Sequence, residues 1–304
     1  MRALVTGGTG FIGRHLVQKL VRDGWSVCCL SRRPVRSTNK AVSSLEYDLG
    51  DSGPLRFDAP RIGKVDAIFH CAARLPSAEA AEAVSFISDN GGATLKLIEA
   101  CAEFGIERFI YLSSISVIGV PVSLPIAEDH PLAPKTPYAL GKAAGELACC
   151  VARDMGVKAT ALRLSSPYGP GMNQQTVLPL FVDRARRGET LAWHGTGSRS
   201  QDFIHVDDVV DACLLAAGAS EQGVFCLGSG IATPMKALAQ SIVSLIPNAV
   251  AEPSGKPDLQ EGLSWQLNID KIAQSLHFQP KISLIDGLRD YLSVEEASLP
   301  AWMM

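Results

Sequence analysis

The segment Thr6-Gly7-Gly8-Thr9-Gly10-Phe11-Ile12-Gly13 decides the fold, because it joins an apolar strand, Arg2–Thr6, to an amphipathic helix, Phe11–Arg22. Its glycines allow a tight turn, a close backbone approach to a pyrophosphate, and close packing of helix on strand. The helix amino terminus adds unpaired N–H groups and a partial positive charge. The alternative is a structural glycine-rich turn. We predict a dinucleotide site with contacts from Gly7, Thr9, Gly10, Phe11, Ile12 and Gly13.

The rest of the amino-terminal half alternates strands and helices. Further strands are predicted at Trp25–Leu30, Asp66–Cys71, Arg108–Leu112 and Lys158–Leu162, and helices at Ala78–Phe104 and Tyr138–Met155. Such alternation produces right-handed crossovers and a parallel sheet with helices on both faces. We therefore expect the α/β class, with a Rossmann-type doubly wound parallel sheet and a smaller carboxyl-terminal substrate-binding region.

The regular alternation loosens after about Pro167, where glycine and proline become frequent. Ligands of open α/β sheets bind beyond the carboxyl ends of the strands, so late insertions there commonly cover a substrate. We expect residues 1–165 to form an NAD(P)-binding Rossmann domain. Residues 166–304 are expected to form mainly the substrate-binding region, with some return to the sheet.

Composition excludes several classes of protein. The 304 residues carry a net charge of −3, which argues against a nucleic-acid binder. No apolar stretch reaches the roughly 20 residues needed to cross a bilayer, and no targeting segment precedes the first strand. The eight cysteines show no C-x-x-C spacing, so reduced structural thiols in a cytoplasmic protein are expected. His205 with Asp207-Asp208 is interpreted as the cap of a helix, and no metal site is predicted.

The residues after the second predicted strand bear on the choice of cofactor. A carboxylate there would bind a ribose 2′-hydroxyl and favour NAD, whereas this chain has Ser31-Arg32-Arg33. Because a guanidinium suits a 2′-phosphate, NADP is favoured over NAD. The alternative is that the arginines are solvated and Ser31 caps a turn. Asp48 and Leu49 are predicted to approach the adenine.

A tyrosine and a lysine four residues apart, Tyr138 and Lys142, lie on one face of a predicted helix. A neighbouring ammonium is expected to lower the pKa of the phenol. The tyrosine can then exchange a proton with a substrate hydroxyl while a hydride moves to or from a nicotinamide. Ser113-Ser114 ends the strand Arg108–Leu112, so Ser114 would complete the site.

Together these motifs resemble the NAD-dependent epimerase/dehydratase family of extended short-chain dehydrogenases/reductases, which includes nucleotide-sugar 4-epimerases. The resemblance covers nearly the whole chain, and its further motifs are His70-Cys71-Ala72-Ala73, Asn90, Leu162-Arg163, Pro167–Gly171 and Asp202–Asp208. It implies catalysis by Ser114, Tyr138 and Lys142, and a homodimer, as family members often form. The further cofactor contacts expected are Ser31, Arg32, Asp48, Leu49, Ala72, Ala73, Asn90, Ser113, Tyr138, Lys142 and Pro167.

Departures from the family pattern narrow the chemistry. In the family's 4,6-dehydratases the sequence at the catalytic strand end resembles Thr-Asp-Glu, and in its sugar-acid decarboxylases it resembles Thr-Ser-Glu. This chain has Ser114-Ile115-Ser116 there. Neither following position holds the carboxylate that elimination needs. We therefore expect hydride transfer alone, as in a 4-ketoreductase or 4-epimerase.

The substrate side departs as well. Nucleotide-sugar members usually carry an arginine where this chain has Gln201, and Arg199 lies two residues earlier. A neutral amide provides no charge for a diphosphate. Substrate contacts are predicted from Ser114, Tyr138, Arg199 and Gln201. Two alternatives stay open: an NADPH-dependent reductase of a non-sugar carbonyl or alcohol, and a non-catalytic protein that senses the cofactor.

Overall fold

The computed structural model describes residues 1–51, 53, 55, 63–76 and 82–293. Its strands are β1 (Arg2–Thr6), β2 (Ser26–Ser31), β3 (Val42–Glu46), β4 (Ala67–His70), β5 (Arg108–Leu112), β6 (Lys158–Leu164), β7 (Ser166–Tyr168), β8 (Leu191–Trp193), β9 (Ser200–His205), β10 (Gly223–Leu227), β11 (Ala232–Pro234) and β12 (Ala251–Pro253). The α-helices are α1 (Phe11–Arg22), α2 (Ala83–Phe86), α3 (Ala93–Phe104), α4 (Pro137–Val151), α5 (Val177–Arg186), α6 (Val206–Gly218), α7 (Met235–Val243), α8 (Asp270–Leu276) and α9 (Leu284–Ser293).

The central sheet has seven strands in the order β10-β6-β5-β4-β1-β2-β3. Every neighbouring pair is parallel, so all carboxyl ends lie along one edge. The strand order reverses between β4 and β1, which opens a crevice at that edge, beside the turn that follows β1. The predicted Rossmann-type class is confirmed.

Two apolar layers cover the sheet. On one face, Leu16, Val17 and Leu20 of α1 pack with Val209 and Cys213 of α6. The other face is covered by a second cluster, which includes Leu97, Ile98, Cys101, Tyr111 and Cys149 of α3, β5 and α4. Burial on both faces explains why the central strands are almost continuously apolar.

The carboxyl-terminal part builds two small sheets, ordered β11-β9-β7 and β12-β8, around a third cluster. That cluster is centred on Trp193, Phe203, Met235 and Leu238. β10 leaves this part and pairs with β6 as the outermost strand of the central sheet.

The predicted elements agree closely with the structure at β1, α1 and β5, and two features differ. β3 was not predicted, because Val42–Glu46 is an edge strand whose side chains are exposed or half-buried and lack an apolar run. The single helix predicted at Ala78–Phe104 is interrupted by a π-helical turn, Ile87–Gly92. A Cβ on Gly91 would lie 2.6 Å from Ala144 Cβ, so α4 approaches this turn closely. Residues 78–81 of that prediction lie outside the described residues.

Within the described ranges, no helix is long and apolar enough to cross a membrane. The same part of the chain contains no group of three potential metal ligands, and all eight cysteines are free thiols.

Candidate active site

The glycine turn after β1 is shaped by contacts that exclude side chains. Gly7 has φ +67°, and the Gly10 N–H donates to Gly7 O over 2.9 Å. A Cβ on Gly13 would lie 2.0 Å from Gly7 O. No side chain caps the amino terminus of α1, and its first turn holds no acidic residue. The free N–H groups and the bare backbone fit a pyrophosphate.

The turn is tied to β4 by buried hydrogen bonds. Thr6 Oγ1 lies 2.7 Å from His70 Nδ1 and accepts the Ala72 N–H over 3.1 Å. Burial, helped by the charge of Lys142, lowers the pKa of His70 to about 3, so the imidazole is neutral. A Cβ on Gly7 would strike Ala72, so these bonds hold the start of the loop after β4 against the glycine turn.

Asn90 uses its side chain to hold the loop after β4. Its Oδ1 accepts the Arg74 N–H over 2.8 Å, and its Nδ2 donates to Arg74 O over 3.2 Å. The amide is buried, and Arg74 directly follows Ala73 in the chain. This geometry positions the loop for which cofactor contacts were predicted.

The ends of β2 and β3 lie on the same edge as the glycine turn. The Ser31 hydroxyl donates to Arg33 O over 2.6 Å, as expected of a residue that caps a turn. Arg32 is exposed. Beyond β3, Asp48 Oδ1 accepts the Gly50 N–H over 3.0 Å.

The residues expected to be catalytic meet at the carboxyl end of β5. Helix α4 starts behind the N-cap Thr136, whose hydroxyl accepts the Ala139 N–H. This places the half-buried Tyr138 hydroxyl within hydrogen-bonding reach of Ser114. One turn later, Lys142 Nζ donates to Leu112 O over 2.6 Å. Ser114, Tyr138 and Lys142, hereafter the candidate catalytic set, are thus brought together by β5 and α4.

Burial changes the acidity of two members of this set. It raises the pKa of Tyr138, while the hydrogen bond from Ser114 acts in the opposite direction. It lowers the pKa of Lys142 to about 8, against the opposing effects of Cys71 and Glu146. The predicted lowering of the Tyr138 pKa by lysine is therefore wrong: burial raises this pKa, and Lys142 Nζ is directed to the main-chain carbonyl of Leu112.

A buried polar network under the set was not predicted. The Ser113 hydroxyl donates to Glu146 Oε1 over 2.6 Å, and the Arg163 guanidinium pairs with both carboxylate oxygens of Glu146. The Ser113 side chain is thus committed to Glu146. The signal available in the sequence was the four-residue spacing of Tyr138, Lys142 and Glu146 along one helical face.

A cavity of about 100 Å³ lies beside the set, between the sheet edge and the carboxyl-terminal part. It is lined by Ile115, Ser165, Ser166, Gln201, Asp202, Trp265 and Leu267. The Gln201 amide oxygen lies 3.5 Å from Ser166 Oγ, at the wall of this cavity. The Asp202 carboxylate already accepts hydrogen bonds from Ser229, Gly230 and Leu267, which makes it structural.

The side chain of Arg199 is engaged elsewhere. Its Nε donates to Asp258 Oδ2 over 3.1 Å, and a terminal nitrogen donates to Gln260 Oε1 over 3.0 Å. The substrate contact from Arg199 therefore stays a prediction. In this structure its guanidinium fastens the loop that contains Asp258.

Two residues of α1 connect the glycine turn to the Pro167–Gly171 segment. Arg14 donates to Gly171 O over 3.0 Å, and His15 Nε2 lies 2.9 Å from Pro170 O. His205 caps α6, accepting the Asp207 N–H at its Nδ1 as interpreted from the sequence.

Comparisons with known proteins agree with this geometry. The model of the NAD dependent epimerase/dehydratase family matches residues 3–228. A UDP-glucose 4-epimerase of Mycolicibacterium smegmatis is 31% identical over 307 residues, covering 95% of this chain and 96% of the relative. A dTDP-glucose 4,6-dehydratase of Actinoplanes sp. is 29% identical, covering 99% and 100%.

A solved structure shows the same architecture. MoeE5 in complex with UDP-glucuronic acid and NAD superimposes with a TM-score of 0.81 at 28% identity, covering 98% of this chain and 100% of that one. The family match and the extended relatives confirm the family inferred from the motifs. The chain belongs to the NAD-dependent epimerase/dehydratase family.

Proposed function

We propose that this enzyme transfers a hydride between a nicotinamide dinucleotide and a sugar carbon of a nucleotide sugar, as a 4-epimerase or 4-ketoreductase. The observation that carries the proposal is the convergence of Ser114, Tyr138 and Lys142 beside the glycine turn. The relatives named for UDP- and dTDP-sugars support the substrate class. Residues 1–165 would hold the cofactor and residues 166–304 mainly the substrate.

The cofactor, when bound, supplies the site that accepts and returns the hydride. The N–H groups of the Gly7–Gly13 turn would hold its pyrophosphate. Tyr138 would exchange a proton with the reacting hydroxyl, and Ser114 would orient that hydroxyl by a hydrogen bond. Lys142, one helical turn after Tyr138 and bonded to Leu112 O, would place a positive charge at the carboxyl end of β5, beside the reacting hydroxyl.

Elimination of water is disfavoured by the residues after Ser114. Ile115 and Ser116 carry no carboxylate, and the Ser116 hydroxyl donates to Ser114 Oγ over 3.0 Å. The nearby carboxylate of Asp202 is occupied by main-chain donors. Because dehydratases are also among the relatives, product mass is the deciding measurement: epimerisation conserves the mass of the sugar, and dehydration lowers it by one water.

The first experiment screens UDP-, dTDP- and GDP-sugars by thermal shift with cofactor present, since a ligand that binds the native state raises the melting temperature. Turnover of the stabilising sugar is then followed by NMR and mass spectrometry. Tyr138→Phe is expected to lower kcat by about 100-fold or more. Tyr291→Phe, which removes a hydroxyl bonded to Gln174, is the matched control. Full turnover by Tyr138→Phe would contradict the proposal.

For the cofactor, we propose NADP over NAD on the residues at the end of β2. Ser31 stands where a ribose-binding carboxylate would favour NAD, and the exposed Arg32 would offer a guanidinium to a 2′-phosphate. The solved relative with NAD bound points the other way and does not support this preference. Titration with NADH and NADPH decides: Arg32→Ala should weaken NADPH roughly tenfold and leave NADH unchanged. Tighter NADH binding in the unmodified protein would overturn the preference.

A second candidate function is reduction of a non-sugar carbonyl or alcohol with NADPH. It is favoured by the neutral Gln201 at the cavity wall and by the engagement of Arg199 with Asp258. Both observations leave the cavity short of cationic groups for a diphosphate. Absence of stabilisation by every nucleotide sugar, with NADPH still bound, would select this candidate.

We propose a homodimer through the face formed by α2, α3 and α4, in a cytoplasmic enzyme. Large apolar side chains are exposed along this face: Val84, Ile87, Leu95, Leu140, Leu147 and Val151. Such a patch is costly to leave in water. Analytical ultracentrifugation should give a dimer that Leu147→Glu, at a residue 58% exposed, converts to monomer. An unmodified protein that sediments as a monomer would contradict the assignment.

A further inference from the structure

A buried carboxylate lies directly beneath the candidate catalytic set. Glu146 is on α4, one turn after Lys142 and two turns after Tyr138, and its side chain is only 2% exposed. Helix and sheet are in close contact here, since a Cβ on Gly145 would lie 2.4 Å from Tyr111 Oη. A charge at such a depth is retained only where partners compensate its lost hydration.

The partners of Glu146 come from two strands of the central sheet. Arg163 of β6 approaches as a fork, with Nε 3.2 Å from Oε1 and a terminal nitrogen 2.9 Å from Oε2. The Ser113 hydroxyl, just beyond β5, donates to Oε1 over 2.6 Å. Arg163 also donates to Glu128 O over 3.3 Å, which links the pair to the loop before α4.

These bonds hold the strand end that carries Ser114. Lys142 Nζ donates to Leu112 O, and Glu146 accepts from the side chain of the next residue, Ser113. Lys142 and Glu146, one turn apart on α4, therefore bind two consecutive residues at the end of β5. Ser114 follows immediately, so its position depends on both hydrogen bonds.

The carboxylate also acts on the charge of Lys142. The titratable groups that face this ammonium come from β4 and the residue after it, from β5 and from α4 itself: His70, Cys71, Tyr111, Tyr138 and Glu146. The Tyr111 ring centre lies 4.8 Å from Nζ. Glu146 adds a negative charge to surroundings that otherwise favour loss of the lysine proton by burial.

We propose that Glu146 is a positioning residue of the active site, which fixes Ser114 through Ser113 and keeps Lys142 in its charged form. The inference rests on the proposed function, because it assigns Glu146 a role toward the candidate catalytic set. Its test therefore begins with a measurement that needs no substrate.

The test is an NMR titration of the Lys142 side chain in cofactor-free protein labelled with ¹³C-lysine, with the resonance assigned by its absence in Lys142→Met. Glu146→Gln should lower the midpoint of this titration by about one pH unit or more, since a nearby negative charge is lost and Arg163 is left unpaired. Asp208→Asn is the matched control. Asp208 is an equally buried carboxylate that accepts main-chain N–H groups of Lys281 and Ile282, and its loss should leave the midpoint unchanged.

Two further variants keep the test decisive if Glu146→Gln fails to fold. Glu146→Met with Arg163→Met removes both charges together, which cores tolerate far better than one unpaired charge, and should still lower the midpoint. Ser113→Ala leaves the ion pair of Glu146 and Arg163 intact and removes only the hydrogen bond from Ser113 to Glu146. It should lower kcat roughly tenfold with KM and the Lys142 midpoint unchanged.

Turnover measurements separate this inference from the proposed function. In Glu146→Gln the alkaline limb of the kcat profile should move to lower pH, following the Lys142 midpoint. An unchanged midpoint in the folded charge variants, together with an unchanged kcat in Ser113→Ala, would overturn the inference even if nucleotide sugars are turned over. If no nucleotide sugar is turned over, the proposed function fails, and the lysine titration still decides the electrostatic role of Glu146.

Discussion

The proposed cofactor side and the proposed substrate side of this enzyme are built by different means. The glycine turn uses main-chain groups of consecutive residues, which one hydrogen bond from Gly10 to Gly7 and the start of α1 hold in place. The cavity wall around Gln201 uses side chains from segments far apart in sequence, and its neighbouring loop is fastened by the Arg199–Asp258 pair. A site made of local backbone geometry tolerates few substitutions, whereas a site made of distant side chains can change specificity without loss of fold.

The largest expected effect is at the backbone site. Gly13→Ala places a Cβ 2.0 Å from Gly7 O, so the turn must shift and cofactor affinity should fall roughly 100-fold, about 3 kcal/mol. The measurement is cofactor titration by fluorescence. Gly218→Ala, with no atom within 4 Å of the added methyl, is the control and should bind the cofactor normally. Normal binding by Gly13→Ala would remove the glycine turn from the cofactor site.

Next in size, taken per pH unit, is the pH dependence of stability that comes from His70, the anchor under that turn. The pKa of His70 is lowered to about 3 by burial, against about 6.5 in the unfolded chain. Its contribution to stability is therefore fully present above pH 6.5 and is lost as the pH falls from 6.5 toward 3. The expected loss approaches 1.4 kcal/mol per pH unit, measured by urea unfolding across this window.

Replacing His70 by Asn should remove this part of the dependence of the unfolding free energy on pH, hereafter the slope. His277→Asn is the control, because His277 is exposed at φ +53°, a conformation that asparagine accepts, and its loss should leave the slope unchanged. An equal slope in His70→Asn and the unmodified protein would show that other groups account for the acid sensitivity.

A smaller effect is expected on the substrate side. Gln201→Arg adds a cation to the cavity wall and should tighten binding of UDP by about 1 kcal/mol, roughly fivefold, in calorimetric titration. Gln274→Arg, an exposed change on α8, controls for the added charge alone. Unchanged UDP affinity in Gln201→Arg would place the diphosphate away from this wall and favour the non-sugar reductase.

The smallest effect concerns the fastened loop. A double-mutant cycle of Arg199→Ala and Asp258→Ala should give a coupling of about 0.5 kcal/mol, since both side chains are partly exposed and water screens the pair. The free energy of unfolding is measured for the unmodified protein, the two single variants and the double variant. The exposed pair of Lys19 and Asp23 serves as the comparison. A coupling of zero would mean that Arg199 is free to bind a substrate anion after all.

Local patterns predicted the amino-terminal half well. Strand β1, helix α1 and strand β5 were predicted with the bounds observed, because burial on both faces leaves apolar runs that alternate with amphipathic helices. The edge strand β3 and the π-helical turn at Ile87–Gly92 escaped prediction. Strand β3 lacks an apolar run. The π-helical turn lies in close contact with α4, a helix distant in sequence.

For the candidate site, spacing and the family resemblance were enough to predict the glycine turn and the set of Ser114, Tyr138 and Lys142. Spacing could not show that burial raises the pKa of Tyr138, because burial depends on what packs over the helix. Nor could it show that Arg199 pairs with Asp258, since 59 residues separate the two.

The sequence alone determined that the chain is an α/β protein of the NAD-dependent epimerase/dehydratase family, and it predicted a dinucleotide-binding turn at Gly7–Gly13. These features follow from periodicity and from short motifs, in which each residue acts on its near neighbours. Only the tertiary structure decided that Glu146 joins Ser113 to Arg163, and that Arg199 faces a loop instead of the cavity. Such pairings join distant segments, and their energies depend on burial and geometry that exist only after the chain has folded.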